Sequence, residues 1–71
     1  MKEYLAYCVF TKTEQKGNTT NNYIEVCIRF VEANSKEEAI GKFMLGTNNI
    51  LPGYQRSEVW IEESKNYIRI N

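Results

Sequence analysis

The sequence predicts an α+β fold, a two-layer sandwich in the order β-β-α-β-β with one helix packed on one face of an antiparallel sheet. Two observations carry this. Tyr23 to Phe30 alternates apolar and polar residues with the period of two that marks a strand, and Ser35 to Gly46 then reads as a capped amphipathic helix. The other apolar segments, Tyr4–Phe10, Ser57–Glu62 and Tyr67–Ile70, are short, strand-favouring and bounded by polar or turn-forming stretches.

Tyr4–Phe10 is the first strand. Both of its faces are apolar, Leu5, Tyr7 and Val9 on one and Tyr4, Ala6, Cys8 and Phe10 on the other, so the pattern alone does not choose between them; Leu5 and Val9 are expected inward. Thr11 to Asn22 contains no apolar residue and reads as a long hairpin connection, either a contact loop or a mobile tip. The second strand places Ile24, Val26, Ile28 and Phe30 on one face and Tyr23, Glu25, Cys27 and Arg29 on the other, with the apolar set expected beneath the helix. Ser35 stands three residues before Glu38, the spacing of a capping box. Glu37 and Glu38 suit the positive end of the helix dipole, and Gly46 is expected to end the helix in a left-handed conformation. Ala39, Ile40, Phe43 and Met44 form its apolar stripe.

Beyond the helix, Ile50 and Leu51 are expected to plug its end, and Leu51-Pro52-Gly53-Tyr54 has the residues of a type II turn. Ser57–Glu62 directs Val59 and Ile61 inward and Trp60 outward. Glu63 to Asn66 then turns the chain into a last strand with Ile68 and Ile70 inward.

The 71 residues make one domain, spanning 1–71. A chain of this size buries only about 60% of its unfolded surface, so oligomerisation is an expected source of further stability. Nine basic and nine acidic side chains cancel, which removes the global field that would hold a polyanion. Two cysteines, no signal-like start and no apolar run near the roughly 20 residues that cross a bilayer predict a cytoplasmic protein with no membrane partner. Free thiols are expected in a reducing compartment. The abundance of Asn, Lys, Ile and Tyr is compatible with an AT-rich bacterial or phage genome.

Catalysis finds little support. There is no histidine, which disfavours the familiar triads and zinc sites, and the glycines at 17, 41, 46 and 53 form no phosphate or dinucleotide loop. Glu58, Glu62 and Glu63 read as solvated acids beside a turn rather than as cation ligands. No catalytic, cofactor or metal residue is expected.

The passage Val31-Glu32-Ala33-Asn34-Ser35-Lys36-Glu37-Glu38-Ala39-Ile40 resembles the strand-to-helix junction of small bacterial and phage α+β domains, including HicB-like antitoxins and anti-defence proteins. The resemblance covers those ten residues and carries over no functional residue.

Function is therefore sought on the sheet side left without a covering element, where alternation predicts Tyr23, Arg29, Trp60, Tyr67 and Arg69 as partner-binding residues. Aromatic rings and arginines dominate interface centres, although such rings also occur as a crust that shelters backbone. Three readings follow. The first is a non-enzymatic protein-binding module, a phage or mobile-element inhibitor of a host protein of the anti-CRISPR kind, acting by occlusion. The second is a binder of single-stranded nucleic acid or nucleotide that stacks bases on Tyr23, Trp60 and Tyr67, disfavoured because Glu25, Glu58 and Glu62 share the face. The third is a structural homo-oligomer joined through uncovered faces or edge strands.

Overall fold

A computed structural model of the chain describes residues 1–66, and the expected last strand, Tyr67–Ile70, lies outside them. Two long strands, β1 (Lys2–Lys16) and β2 (Thr19–Ala33), are followed by helix α1 (Lys36–Gly46), two short strands, β3 (Gln55–Arg56) and β4 (Trp60–Glu63), and a 3₁₀ turn at Ser64–Asn66. The four strands form one antiparallel sheet in which β1 is central. β2 lies along one edge of β1, and β3 and β4 follow one another along the other. This is the predicted α+β sandwich, with the helix placed after two strands.

The stretch read as a connecting loop, Thr11–Asn22, is instead strand up to a two-residue turn. Pairing runs without a break from Lys2 opposite Ala33 to Lys16 opposite Thr19. Gly17 has φ +61°, as the first central residue of a type II′ turn requires, and that turn matches the natural twist of a hairpin. The lack of apolar residues reflects a ribbon with water on both faces rather than a loop. Threonines favour extended backbone there, and Thr13 Oγ1 donates to Asn22 Oδ1 across the strands at 2.9 Å. The molecule is correspondingly elongated, with extents of 51 × 25 × 17 Å.

The register fixes which side chains share a face, and it reverses the expected orientation of both long strands. Tyr4, Ala6, Cys8 and Phe10 of β1 are buried beside Ala33, Ala39, Phe43 and Ile61. Cys27 and Val31 of β2 pack against this core. Leu5 and Val9, expected inward, point to the other side, as do Ile24, Val26, Ile28 and Phe30. Close approach of the helix explains the choice. Ala6, Cys8 and Ala33 are small enough to admit Phe43, whereas the β2 face carrying Ile24 to Phe30 presents only large side chains.

The helix starts as predicted. Ser35 Oγ accepts from the Glu38 amide at 3.1 Å, and Glu38 Oε2 accepts in turn from the Asn34 amide at 3.3 Å. Its other end differs from expectation. Gly46 is the last helical residue, and positive φ occurs only at Gly17, Asn49 and Gly53 among the described residues. The Thr47 and Asn48 amides meet Phe43 O and Leu45 O, and side chains meet the remaining carbonyls. Thr47, fully buried, donates its hydroxyl to Phe43 O at 2.8 Å, while Arg56 Nη1 donates to Met44 O and to Thr47 Oγ1, each at 3.0 Å. Arg29 Nη1 reaches Gly46 O at 3.4 Å. The last turn itself contains no basic residue, so the sheet supplies the positive charge that the negative end of the helix dipole favours. Beyond it, Gly53 at φ +86° and a bond from the Tyr54 amide to Leu51 O at 3.1 Å form the expected type II turn. Leu51 packs on the core, but Ile50 is exposed and does not plug the helix end.

Thr47→Val keeps the shape but leaves Arg56 without its hydroxyl acceptor. It is expected to cost about 1–3 kcal/mol, measured as a lower urea midpoint at unchanged slope.

Candidate interaction surface

The sheet side away from the helix is apolar over its middle, with Glu62 opposite Leu5 at the β4 edge and Glu3 opposite Glu32 at one end. Cross-strand partners Leu5 and Phe30, Tyr7 and Ile28, Val9 and Val26, and Thr11 and Ile24 lie on it, and Trp60 extends it opposite Tyr7. The exposures are high: Ile24 68%, Val26 59%, Ile28 61%, Phe30 43% and Trp60 43%. Scattered apolar residues are ordinary on a protein surface, whereas a contiguous patch of this kind is a candidate contact site. At its centre the Tyr7 and Trp60 rings stack, with centroids 5.4 Å apart and planes inclined by 19°. Stacking holds both rings in place before any partner arrives, which lowers the entropy lost on contact.

The residues predicted for partner binding do not gather on this side. Trp60 is there. Arg29, together with Glu25 and Cys27, belongs to the helix side, because β2 residues of odd number lie opposite β1 residues of even number. Arg29 is used at the helix terminus. Tyr23 also falls on the helix side, out on the ribbon, where it lies opposite Lys12 and donates its hydroxyl to Glu14 Oε2 at 3.5 Å. Tyr67 and Arg69 lie outside the described residues. Sequence reasoning missed Ile24, Val26, Ile28, Phe30 and Tyr7 as surface residues because it assigned the most hydrophobic face to the core. The signal that points to them is the set of small residues, Ala6, Cys8 and Ala33, on the opposite parity.

The electrostatics of the helix side are muted. Lys12 and Glu14 form an ion pair at 2.9 Å, which raises the lysine above its ordinary value through that hydrogen bond, and Lys12 also lies 5.6 Å from the Tyr54 ring centroid. Glu63 is held below the ordinary carboxylate range by hydrogen bonds from Lys65 and then Lys2, which tie β4 to the start of β1. A pocket of about 180 Å³ lies between Phe10, Arg56 and the Thr47–Tyr54 segment. Its cation, Arg56, is already engaged by the helix terminus.

The register sets Cys8 directly opposite Cys27, and both are free thiols. Burial pushes the Cys8 thiol up, with Cys27 adding to the effect, so Cys8 is a poor nucleophile. No family model matches the chain, nor does any curated protein or solved structure.

Iodoacetamide is expected to modify Cys27, which is half-buried, well before the fully buried Cys8 in the folded protein, with the two rates converging in denaturant; peptide mass spectrometry over time measures the order.

Proposed function

We propose that the chain is a small non-enzymatic protein-binding module that acts through the apolar side of its sheet. The observation that carries this reading is the exposed set Ile24, Val26, Ile28 and Phe30, continued through the stacked Tyr7–Trp60 pair. A partner surface with an apolar centre suits it, because neither arginine of the described residues lies on that side. Arg29 and Arg56 both serve the helix terminus. The same placement weighs against base stacking on the sheet, which would need cations beside the rings to hold phosphates.

Occlusion is the mode of action that fits a rigid, flat face on a small domain. The finer reading is an inhibitor encoded by a phage or mobile element that covers a site on a host protein. It rests on the chain's size and composition, and on a binding face with no chemistry of its own beyond burial.

The face assignment gives a direct test. Trp60→Ala and Val26→Asp are expected to remain folded by circular dichroism, since both side chains keep 40% or more of their surface in water. As immobilised baits they should lose a partner that the wild-type chain captures from a bacterial lysate, while Lys36→Glu, at the exposed start of the helix, should retain it. Equal retention by all three would sink the reading, and so would unfolding of Trp60→Ala, which would place the ring in the core.

A further inference from the structure

We infer that two copies of the chain pair antiparallel along the outer edge of β2, with Cys27 of each copy on the two-fold axis. The surface involved is a backbone edge, distinct from the apolar face, so the inference stands or falls separately from the proposed function.

Hydrogen-bond parity comes first. Val9 accepts from the Ser57 amide at 2.8 Å and donates to Ser57 Oγ at 2.9 Å, so its backbone groups point away from β2. Residues of even number in β1 therefore bond to β2, and across the register their partners in β2 are of odd number. Asn22, Ile24, Val26 and Ile28 then turn their N–H and C=O groups outward. Lys42 reports the same parity at Glu32, whose carbonyl accepts from its ammonium at 2.8 Å. Among the described residues no other strand lies along this edge. Edge strands of soluble proteins are usually interrupted by proline, lysine or a bulge, and β2 between Ile24 and Phe30 has none of these.

Charge complementarity then selects the occupant and the register. The segment Ile24-Glu25-Val26-Cys27-Ile28-Arg29-Phe30 has the same apolar pattern read in either direction from Cys27, with opposite charges at equal distance from it. Antiparallel pairing about Cys27 sets Val26 opposite Ile28 of the second copy and Ile24 opposite its Phe30. Glu25 faces Arg29 of the second copy, twice. Moving the axis to Val26 sets Glu25 against Cys27, and moving it to Ile28 sets Arg29 against Cys27, so both ion pairs are lost. In the Cys27 register outward-facing residues meet outward-facing residues, and all four interface glutamates and arginines fall at close, non-hydrogen-bonded positions. The two apolar sheet sides become continuous.

The test combines sedimentation velocity with thiol crosslinking. The wild-type chain is expected to show a concentration-dependent dimer. Glu25→Arg should raise its dissociation constant by roughly tenfold, because two attractive pairs become repulsive. Val26→Pro removes an outward amide that the monomer does not use, and is expected to remain folded by circular dichroism yet sediment as a monomer. Opposed Cys27 residues would lie about 4.5 Å apart at Cα, within disulfide range. Diamide, which takes up the two thiol hydrogens, should therefore convert Cys8→Ala into a covalent dimer that Cys27→Ser cannot form. A wild-type monomer at every concentration would overturn the inference. So would a dimer that survives both Glu25→Arg and Val26→Pro and leaves Cys27 uncrosslinked, since that dimer would use the apolar faces.

Discussion

Everything in this structure depends on the register of one hairpin. The turn at Gly17 and Asn18 is two residues long, and because side chains alternate along a strand, a change of one residue would send every side chain of β2 to the opposite face relative to β1. The turn alone does not choose the face. The choice is made at the far end, where Ala33 is buried at the point at which β2 hands over to the helix. Counting back from Ala33 gives Val31, Arg29 and Cys27 on the helix side, and across the pairs Tyr4, Ala6 and Cys8. A small residue at the junction and a tight turn at the tip together determine the orientation of both long strands.

The second constraint is the end of the helix. Its final carbonyls are satisfied from outside the helix, by the buried Thr47 hydroxyl and by guanidinium groups from β2 and β3. Neither space nor backbone demands glycine at position 46, since a Cβ there would meet Arg29 Nη1 at 3.5 Å, an ordinary contact, and its φ is not positive. Arginine fits this role because several donors fan out from one planar group, so Arg56 serves a carbonyl and a hydroxyl with a single nitrogen and retains other donors. Arg29, which looks like a surface binding group in the sequence, thereby also helps to hold helix and sheet together.

Local chemistry was legible and long-range parity was not. Ser35 and Glu38 announce the helix start, and Pro52-Gly53 announces the type II turn, because each depends on residues within a few positions of one another. The order strand, strand, helix, strand follows from the same signals, whereas the two-residue β3 in the segment read as a crossing was not expected. The ribbon from Thr11 to Asn22 was illegible because polarity on both faces looks the same in a strand surrounded by water as in a loop; the cue was Gly17 followed by Asn18, flanked by threonines. Of the predicted partner-binding residues, Trp60 falls on the open side because Ile61 must face Ala6, whereas Tyr23 and Arg29 follow the parity of Ala33 to the helix side. The error came from equating the most hydrophobic face with the inside, a rule that fails when both faces of a sheet are apolar.

That failure itself says something about energetics. Full burial of a large aliphatic side chain contributes roughly 1.5–3 kcal/mol, but Ile24, Val26 and Ile28 each leave well over half of their surface in water, so the folded single chain realises only a minor part of it. The core meanwhile relies heavily on small residues, with Phe43 the largest fully buried side chain among the described residues. In such a chain, stability from the monomer alone is thin, and the largest unrealised store of hydrophobic free energy lies on the open side of β2. Exchanging those residues for polar ones would cost the isolated fold little. On the proposed reading their apolar character reflects a covering partner rather than a contribution to folding, and the same strand that displays them carries an edge along which no other described strand lies.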